Sequence, residues 1–429
     1  MPLSIEVAAR SSLLSRAQVD EVLQEIRAHH PQLSFQTHWV ETQGDRDLAT
    51  SLRFLDKTDF FTREVDTLVR ARQCRLSIHS AKDLPGQLPE GLHLIALTRG
   101  LDSRDALVLR EGETLSHLPQ GARIGTSSVR REKAIHALCA DFLCTDVRGT
   151  IEKRLALLDN GALDGLIVAE AALLRLGLQR RNRVMLPGES APLQGRLAIL
   201  AREEDEEMKR LFAPIDTRAL VLYLGTHPEH FFLQRTHRLV HYPVIALTAR
   251  PKEDAGITQV HRDFARYTHI LFTSKNGVRF FCQAFPYDLE KKTLIAIGHI
   301  TAHELAKHRR PADYVAEQET AEGLIALLET LPLSEAYVLL PRSCLSRAIL
   351  PVFFQERGVR YYAFDLYDTK LQRPGPLPDL STIDEIVFTS PSTVRGFLAL
   401  YGSLPRDKIL RAQGPITQQA IAKAYTETA

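Results

Sequence analysis

The chain has 429 residues, too many for one compact core, and at about 150 residues per domain it should form roughly three units. Its 54 Lys and Arg stand against 52 Asp and Glu, a net charge of +2, which calls for neither a nucleic acid nor an anionic membrane as partner and confines any basic site to a local cluster. The start, "MPLSIEVAARSS", lacks a basic segment leading into an apolar one, no run reaches the roughly 18 apolar residues that span a bilayer, and the five cysteines form no CxxC pair. A cytoplasmic protein with reduced thiols, no metal site and no membrane contact is expected.

In chain order, short apolar runs alternate with amphipathic helical stretches: "IEVAA" then "LSRAQVDEVLQEI", "TREVDTLVRA" then "RLSIHS", "ARIGTS" then "VRREKAIHAL". This predicts α/β architecture, with strands also at "LHLIALT", "DALVLR", "LDGLIVA" and "GRLAILA". The helix "EEDEEMKRLF" runs into "APIDTR", where Pro214 disfavours helix at the residue before it, and a boundary falls near Thr217. A second series follows: "ALVLYLG", "THILFTS", "TLIAIG", "AYVLLPR", "YYAFDLY" and "DEIVFTS". Within it, "THILFTSKNGVRFF" and "DEIVFTSPSTVRGF" share F-T-S-x-x-x-V-R-x-F, and "IGHITAHELA" and "QGPITQQAIA" share G-x-I-T-x-x-x-x-A. The repetition predicts two similar lobes in this half, and with two in the first half the chain has four.

The corner "IGTSSVRREKAI" is the first candidate site. Gly125 ends a strand, Thr126, Ser127 and Ser128 can cap a helix, and Arg130 and Arg131 fall in its first turn; free N–H groups, helix dipole and two guanidinium groups together suit an anion. A capped helix with solvated arginines is the structural alternative, but Arg10 after "IEVAA", Arg148 after "CTDV", Arg154 in "TIEKRLALL" and Arg175 in "LLRLG" repeat the pattern. In "LSIHSAKDLP" the strand delivers Lys82 and Asp83 into a turn stopped by Pro85, and a carboxylate among arginines stays ionised, ready to accept substrate N–H groups or stabilise a cation. Basic residues scattered over strand ends rather than along one helix face argue against a nucleic-acid partner.

Taken together, "IEVAARSSLLSRAQ", "TQGDRD", "FFTREVD", "LSIHSAKDLP", "IGTSSVRRE", "VRGTIEKRLALLDNGALDGLIVAEAALLRLGL" and "LQGRLAI" resemble, in order over about residues 3 to 215, the porphobilinogen deaminase (hydroxymethylbilane synthase) family. The resemblance implies two periplasmic-binding-protein-like lobes, 1–98 with 189–217 and 99–188, that condense porphobilinogen head to tail with release of ammonia on a dipyrromethane primer. It makes Asp83 the catalytic carboxylate and assigns Arg10, Ser12, Lys82, Arg130, Arg131, Arg148, Arg154 and Arg175 to the acetate and propionate groups of primer and chain. The family's "KGLF" loop reads "TDFF" here with Lys57 one place upstream, and the third domain whose cysteine anchors the primer has no counterpart, since no cysteine lies between Cys144 and Cys282. The primer is therefore held by the arginines alone, attached to Cys74, Cys139 or Cys144, or absent from an inactive half.

Residues 218–429 resemble uroporphyrinogen-III synthase through the repeated motifs above, "QETAEGLIALLE" and "YVLLPRSCLSRAILPVFFQERGVRYYAFDLYDT". The resemblance implies two Rossmann-like lobes, 219–249 with 371–429 and 253–366, joined by a β-ladder. It makes Tyr367 the group that assists the departing hydroxyl, and Thr273, Ser274, Thr301, Thr389, Ser390 and Thr417 strand-to-helix residues whose N–H groups bind propionates. Helix capping is the competing role for each hydroxyl. The chain also stops where that family usually adds another strand and helix. The expectation is a monomeric enzyme for consecutive tetrapyrrole steps, with porphobilinogen and hydroxymethylbilane as small-molecule substrates. The alternatives are that only the closing half is active or that the first half merely binds tetrapyrroles.

Overall fold

Apolar strands that are buried on both faces read as continuous hydrophobic runs, and the runs in this chain assemble into four sheets among the described residues. The computed structural model describes residues 4–47, 49–51, 53, 58–228, 231, 235–308 and 310–427. Lys57 lies outside them. The chain divides into two compact units, Met1–Arg218 and Ala219–Ala429.

In the first unit a five-stranded sheet runs in the order Ser34–Val40, Ser4–Arg10, Leu76–Ser80, Leu197–Arg202, Leu92–Leu97. The first three strands are parallel, and Leu197–Arg202 is antiparallel to both of its neighbours. The second sheet runs Leu143–Thr145, Arg123–Gly125, Gly165–Ala169, Asp105–Val108, Arg183–Met185. The chain thus leaves the first sheet after Leu97 and returns to it at Leu197, so two segments, 98–104 and 186–196, connect the lobes. At the return, Gly195 has φ +86° and a Cβ there would lie 2.4 Å from the Asp102 carbonyl oxygen, so the two connections press together where only glycine fits. Ser34–Val40 escapes the sequence reading because it is an edge strand, half exposed and mostly polar, whose pairing along Ser4–Arg10 supplies what its own composition does not.

The parallel strands aim their C-terminal ends at the space between the lobes. Arg10 ends one, the turn Ala81–Asp83 follows another, and the helices Val129–Leu138 and Ile151–Asp159 begin just beyond two more, an arrangement that places ligands at strand ends in open α/β sheets.

In the second unit a parallel sheet of His237–His241, Ala219–Tyr223, Glu385–Phe388 and Ile409–Ala412 forms one lobe. The other holds six strands, Ile245–Ala249, Arg360–Leu371, Tyr337–Ser343, His269–Phe272, Thr293–Ala296 and Tyr314–Val315. Residues 245–249, grouped by the sequence reading with the first of these lobes, pair instead with the six-stranded sheet. The 12-residue strand Arg360–Leu371 is long enough to pair with Tyr337–Ser343 first and then, from Tyr367 onward, with Ile245–Ala249. The ladder slips between Arg342 and Ser343, so Tyr367 stands at an irregularity where side chains are re-aimed. The repeated F-T-S motif is a repeated structure: His269–Phe272 leads to the helix Lys275–Ala284, Glu385–Phe388 to Pro391–Tyr401, and Ser274 and Ser390 cap the two helices in the same way. Among the described residues no helix is long and apolar enough to cross a membrane.

Candidate functional site

A cleft of about 650 Å³ in the first unit is lined by most of the arginines singled out above, together with Ser12, Lys82 and Asp83. Arg10 leaves its strand with the guanidinium over the Phe61 ring, 4.6 Å from the centroid, and pairs with Asp45 through Nη2 and through Nε at 3.2 Å. Ser12 caps the helix Leu13–His29, its Oγ accepting the Ser15 N–H at 3.3 Å. Asp83 is half-buried at the cleft wall and takes no hydrogen bond from any described residue. Lys82 beside it donates to Gln194 Oε1 at 3.1 Å; burial, then Arg131, push its ammonium down to about 8, against the pull of Asp83 and Asp105.

At the "GTSSVRR" corner the helix begins at Val129, so Arg130 and Arg131 do occupy its first turn, but the three hydroxyls act differently from one another. Thr126 is buried, with its Oγ1 accepting the Ser128 N–H at 3.3 Å, and does not reach the cleft. Ser127 Oγ donates to the Val147 carbonyl at 2.5 Å and accepts the Val147 N–H at 3.0 Å, which ties two strand ends together and consumes the hydroxyl. Ser128 occupies the cap position without a side-chain cap bond and faces the cleft. Gly125 beneath them has no room for a side chain, since a Cβ would lie 2.7 Å from Leu163.

Arg148 reaches over to the first lobe, donating from Nη2 to the carbonyls of Asp47 at 2.6 Å and Gly44 at 3.3 Å, while its buried Nε has no partner among the described residues. Arg154 lies one turn into its helix and donates from Nε to the Gly149 carbonyl at 2.8 Å. Burial pushes its guanidinium down to about 10, and Arg131, Arg148 and Arg10 add to the shift because they crowd it with like charge. Arg175 is a correction: it does not line the cleft, and its side chain, 3% exposed, holds Glu21 at 2.7 Å and the Gly195 carbonyl at 2.8 Å, a tie between lobes.

Sequence reasoning missed the partners of these cations. Asp45 lies within "TQGDRD" and Asp105 within "DALVLR", but partners 35 and 25 positions away leave no local signature. Asp105 receives both Arg130, at 2.5 Å, and Arg131, at 2.7 Å. Glu132, His136 and Cys144 also converge with ligand atoms within 4.8 Å of one another, though Glu132 already pairs with Arg53 at 3.0 Å and His136 with the Phe142 carbonyl at 3.0 Å.

A cleft of about 980 Å³ in the second unit is lined by Thr273, Ser274, Tyr367, Thr389 and Ser390, with Lys275, Arg342 and Arg347 at its walls. Tyr367 is buried, stacks on Phe280 at 4.9 Å between centroids, and shares a hydrogen bond of 3.2 Å with Ser274 Oγ; burial holds its phenol above the ordinary value. Ser274 also accepts the Gly277 N–H at 3.0 Å as a helix cap. Four of the remaining expectations change. The N–H groups of Thr389 and Ser390 are already taken by Thr393 Oγ1, at 3.1 and 3.2 Å, because Ser390 and Thr393 form a capping box. Thr301 and Thr417 are not turn residues: each is the third residue of its helix, His299–Lys307 and Pro415–Glu427, and each is 3% exposed, because the shared motif turns its threonine inward. Thr417 Oγ1 donates to the Gln413 carbonyl at 3.2 Å.

Residues 5–210 match the family model "Porphobilinogen deaminase, dipyromethane cofactor binding domain", and residues 232–429 match "Uroporphyrinogen-III synthase HemD". Over 210 residues the chain is 41% identical to a probable porphobilinogen deaminase of Chlamydia muridarum, covering 49% of this chain and 86% of the relative. A probable porphobilinogen deaminase of Chlamydia pneumoniae is 41% identical over 211 residues, 49% of this chain and 89% of the relative. Among solved structures, a mutant uroporphyrinogen III synthase of Thermus thermophilus is 21% identical, covers 48% of this chain and 89% of its own, and superposes with a TM-score of 0.36. The chain belongs to the porphobilinogen deaminase family, with a uroporphyrinogen-III synthase domain fused behind the deaminase domain. Both domains are enzymes of tetrapyrrole biosynthesis acting on small pyrrole substrates.

Proposed function

We propose that the first cleft joins porphobilinogen units head to tail with loss of ammonia and that the second closes the resulting bilane to uroporphyrinogen III. The observation that carries this reading is the excess of positive charge in the first cleft. Arg154 is half-buried with the Gly149 carbonyl as its hydrogen-bond partner, next to three other cations. An ionised group in such a place costs several kcal/mol unless an anion joins it, and a substrate that gains carboxylates with every addition supplies them.

Asp83 is the group at the reacting atoms. It stands at a strand end with its carboxylate unengaged by described residues, where it accepts pyrrole N–H groups and stabilises the cation left when the aminomethyl nitrogen departs as ammonia. Arg10, Ser12, Lys82, Arg130, Arg131, Arg148 and Arg154 seat the side-chain carboxylates of the growing chain. The donor set, guanidinium groups with one buried unpartnered Nε, fits the polycarboxylate dipyrromethane of the family, which when bound supplies the pyrrole carbon that accepts the first unit.

We further propose that these cations hold the primer without a thioether. No cysteine lies between Cys144 and Cys282, Cys74 is 1% exposed with its thiol pushed up to about 11 by burial, and Cys139 and Cys144 pack against the second lobe's core. In both chlamydial relatives the matched stretch makes up 86% or 89% of the whole, which leaves little chain for a further domain. Intact mass of the denatured protein after exposure to porphobilinogen should equal that of the bare chain; a gain in multiples of a pyrrole unit overturns non-covalent holding.

In the second cleft, Tyr367 assists loss of the hydroxyl from the bilane, kept protonated by its burial and oriented by Ser274 and Phe280. The working unit is a monomer, and fusion keeps the open bilane at a high effective concentration for the second site. The test is to supply porphobilinogen to the full-length protein, oxidise the products and resolve the uroporphyrin isomers. Isomer III should exceed isomer I; no porphyrin refutes the first assignment, and isomer I alone refutes the second.

A further inference from the structure

Beneath the cations of the first cleft lies a carboxylate that does not reach the cleft itself. Asp105 opens the strand Asp105–Val108 and is 4% exposed. Its Oδ2 accepts Arg130 Nη2 at 2.5 Å, and its Oδ1 accepts Arg131 Nε at 3.0 Å, Arg131 Nη2 at 2.7 Å and Gln194 Nε2 at 3.0 Å. Each arginine has a second hold, Arg130 on the Glu189 carbonyl at 2.6 Å and Arg131 on the Ile167 carbonyl at 3.4 Å.

The network continues through Gln194, itself 3% exposed, whose Oε1 accepts Lys82 Nζ at 3.1 Å. Lys82 can only donate and an ionised Asp105 can only accept, so the residue between them must accept on one side and donate on the other, which an amide does. The backbone holds that amide in place. Leu193, with φ +62°, is one of two non-glycine residues in the left-handed region among the described residues, and Gly195 follows at φ +86° against Asp102. A branched side chain in that conformation is strained and persists only where its surroundings demand it.

Resting on the reading of this cleft as the deaminase site, we propose that Asp105 is its positioning residue: from under the floor it sets Arg130 and Arg131 side by side and, through Gln194, sets Lys82 in register with them around Asp83. Two guanidinium groups that would otherwise repel share one buried counter-charge, which fixes their spacing before substrate arrives. Burial alone would raise the Asp105 carboxyl; Arg131, Arg130 and Gln194 outweigh it, so it remains ionised. The charged groups around Lys82 are Arg131, Asp83, Asp105 and Arg130, and the two carboxylates act to keep it protonated. Its charge is lost as pH rises through about 8, and removing the Asp105 charge brings that loss to lower pH.

The test uses the full-length chain carrying Asp105→Asn. Porphobilinogen consumption should fall by about tenfold or more, with kcat as well as KM affected, and the alkaline limb of the rate profile should move to lower pH by about half a unit or more, a shift that simple loosening of the fold does not produce. Asp105→Glu, which restores the charge, should return the limb toward its original place. A crystal structure of Asp105→Asn with Arg130 and Arg131 in unchanged positions, or an unmoved alkaline limb, overturns the proposal. If Asp105→Asn does not fold, Gln194→Met cuts the Lys82 branch while leaving both arginines on Asp105, and should by itself shift the limb downward; an unmoved limb there also overturns it. Wild-type protein that consumes no porphobilinogen refutes the reading of the cleft instead, and the arginine positions in the variant's crystal structure still decide the role of Asp105.

Discussion

The two clefts of this chain solve related problems with different materials. The first gathers guanidinium groups and lysines around the unengaged Asp83, and several of these cations are ill at ease: Arg154 has a lowered pKa, Lys82 is pushed down to about 8, and Arg148 Nε has no partner among the described residues. The second is walled by hydroxyls that are mostly content, with Ser274 and Ser390 as helix caps, Thr393 closing a capping box and Tyr367 bonded to Ser274. A cleft that must grip a growing polyanion stores binding capacity as unrelieved positive charge. One that binds a bilane whose carboxylates do not change in number on closure can hold it with fixed donors and shape, with Lys275, Arg342 and Arg347 at its walls.

The sharpest way to break this contrast is at Asp83. Asp83→Ala should lower porphobilinogen consumption by about three orders of magnitude, within the range for a positioned acid–base or charge-stabilising group, while closure of supplied hydroxymethylbilane continues at the wild-type rate. Loss of both activities would mean that the halves are not separable. Next in size is Tyr367→Phe, which keeps the ring on Phe280 and removes the bond to Ser274. Formation of isomer III from supplied bilane should drop by about 10- to 100-fold, with isomer I rising as unassisted closure takes over, and an unchanged isomer ratio removes Tyr367 from the mechanism.

Much of the first cleft was legible in the sequence because strand-end motifs carry their residues to the same place: "LSIHSAKDLP" and "IGTSSVRRE" deliver Lys82, Asp83, Arg130 and Arg131 as a local pattern implies. The counter-charges were not legible, since Arg130 meets Asp105 and Arg175 meets Glu21 across 25 and 154 positions of sequence. Arg175 also shows the limit of reading arginines by resemblance, because position in a motif does not say whether a guanidinium faces the cleft or clamps the lobes behind it. In the second half the F-T-S motif revealed a repeated strand and helix, but not that Thr393 would take the very N–H groups assigned to a ligand. The same short polar residues cap helices and bind anions, and only geometry separates the two.

A pH series sharpens the comparison further. Lys82 loses its charge as pH rises through about 8, so porphobilinogen consumption should decline over pH 7.5 to 9, whereas burial holds the Tyr367 phenol protonated and closure should persist over the same range. Parallel decline of both activities would argue that neither group sets the limb.

The smallest effect in activity per unit of stability is expected at Arg154, where the two are opposed. Its half-buried guanidinium is crowded by like charge and has no carboxylate partner among the described residues, so an apolar chain of similar length in its place relieves repulsion and desolvation. Arg154→Met should therefore raise the melting temperature of ligand-free protein by a few degrees, since about 1 kcal/mol shifts a domain of this size by about 2–4 °C, while weakening the hold on substrate carboxylates and raising KM for porphobilinogen. If the variant melts lower than wild type, Arg154 is a structural cation whose neighbours have already compensated it, and the first cleft loses the stored charge that sets it apart from the second.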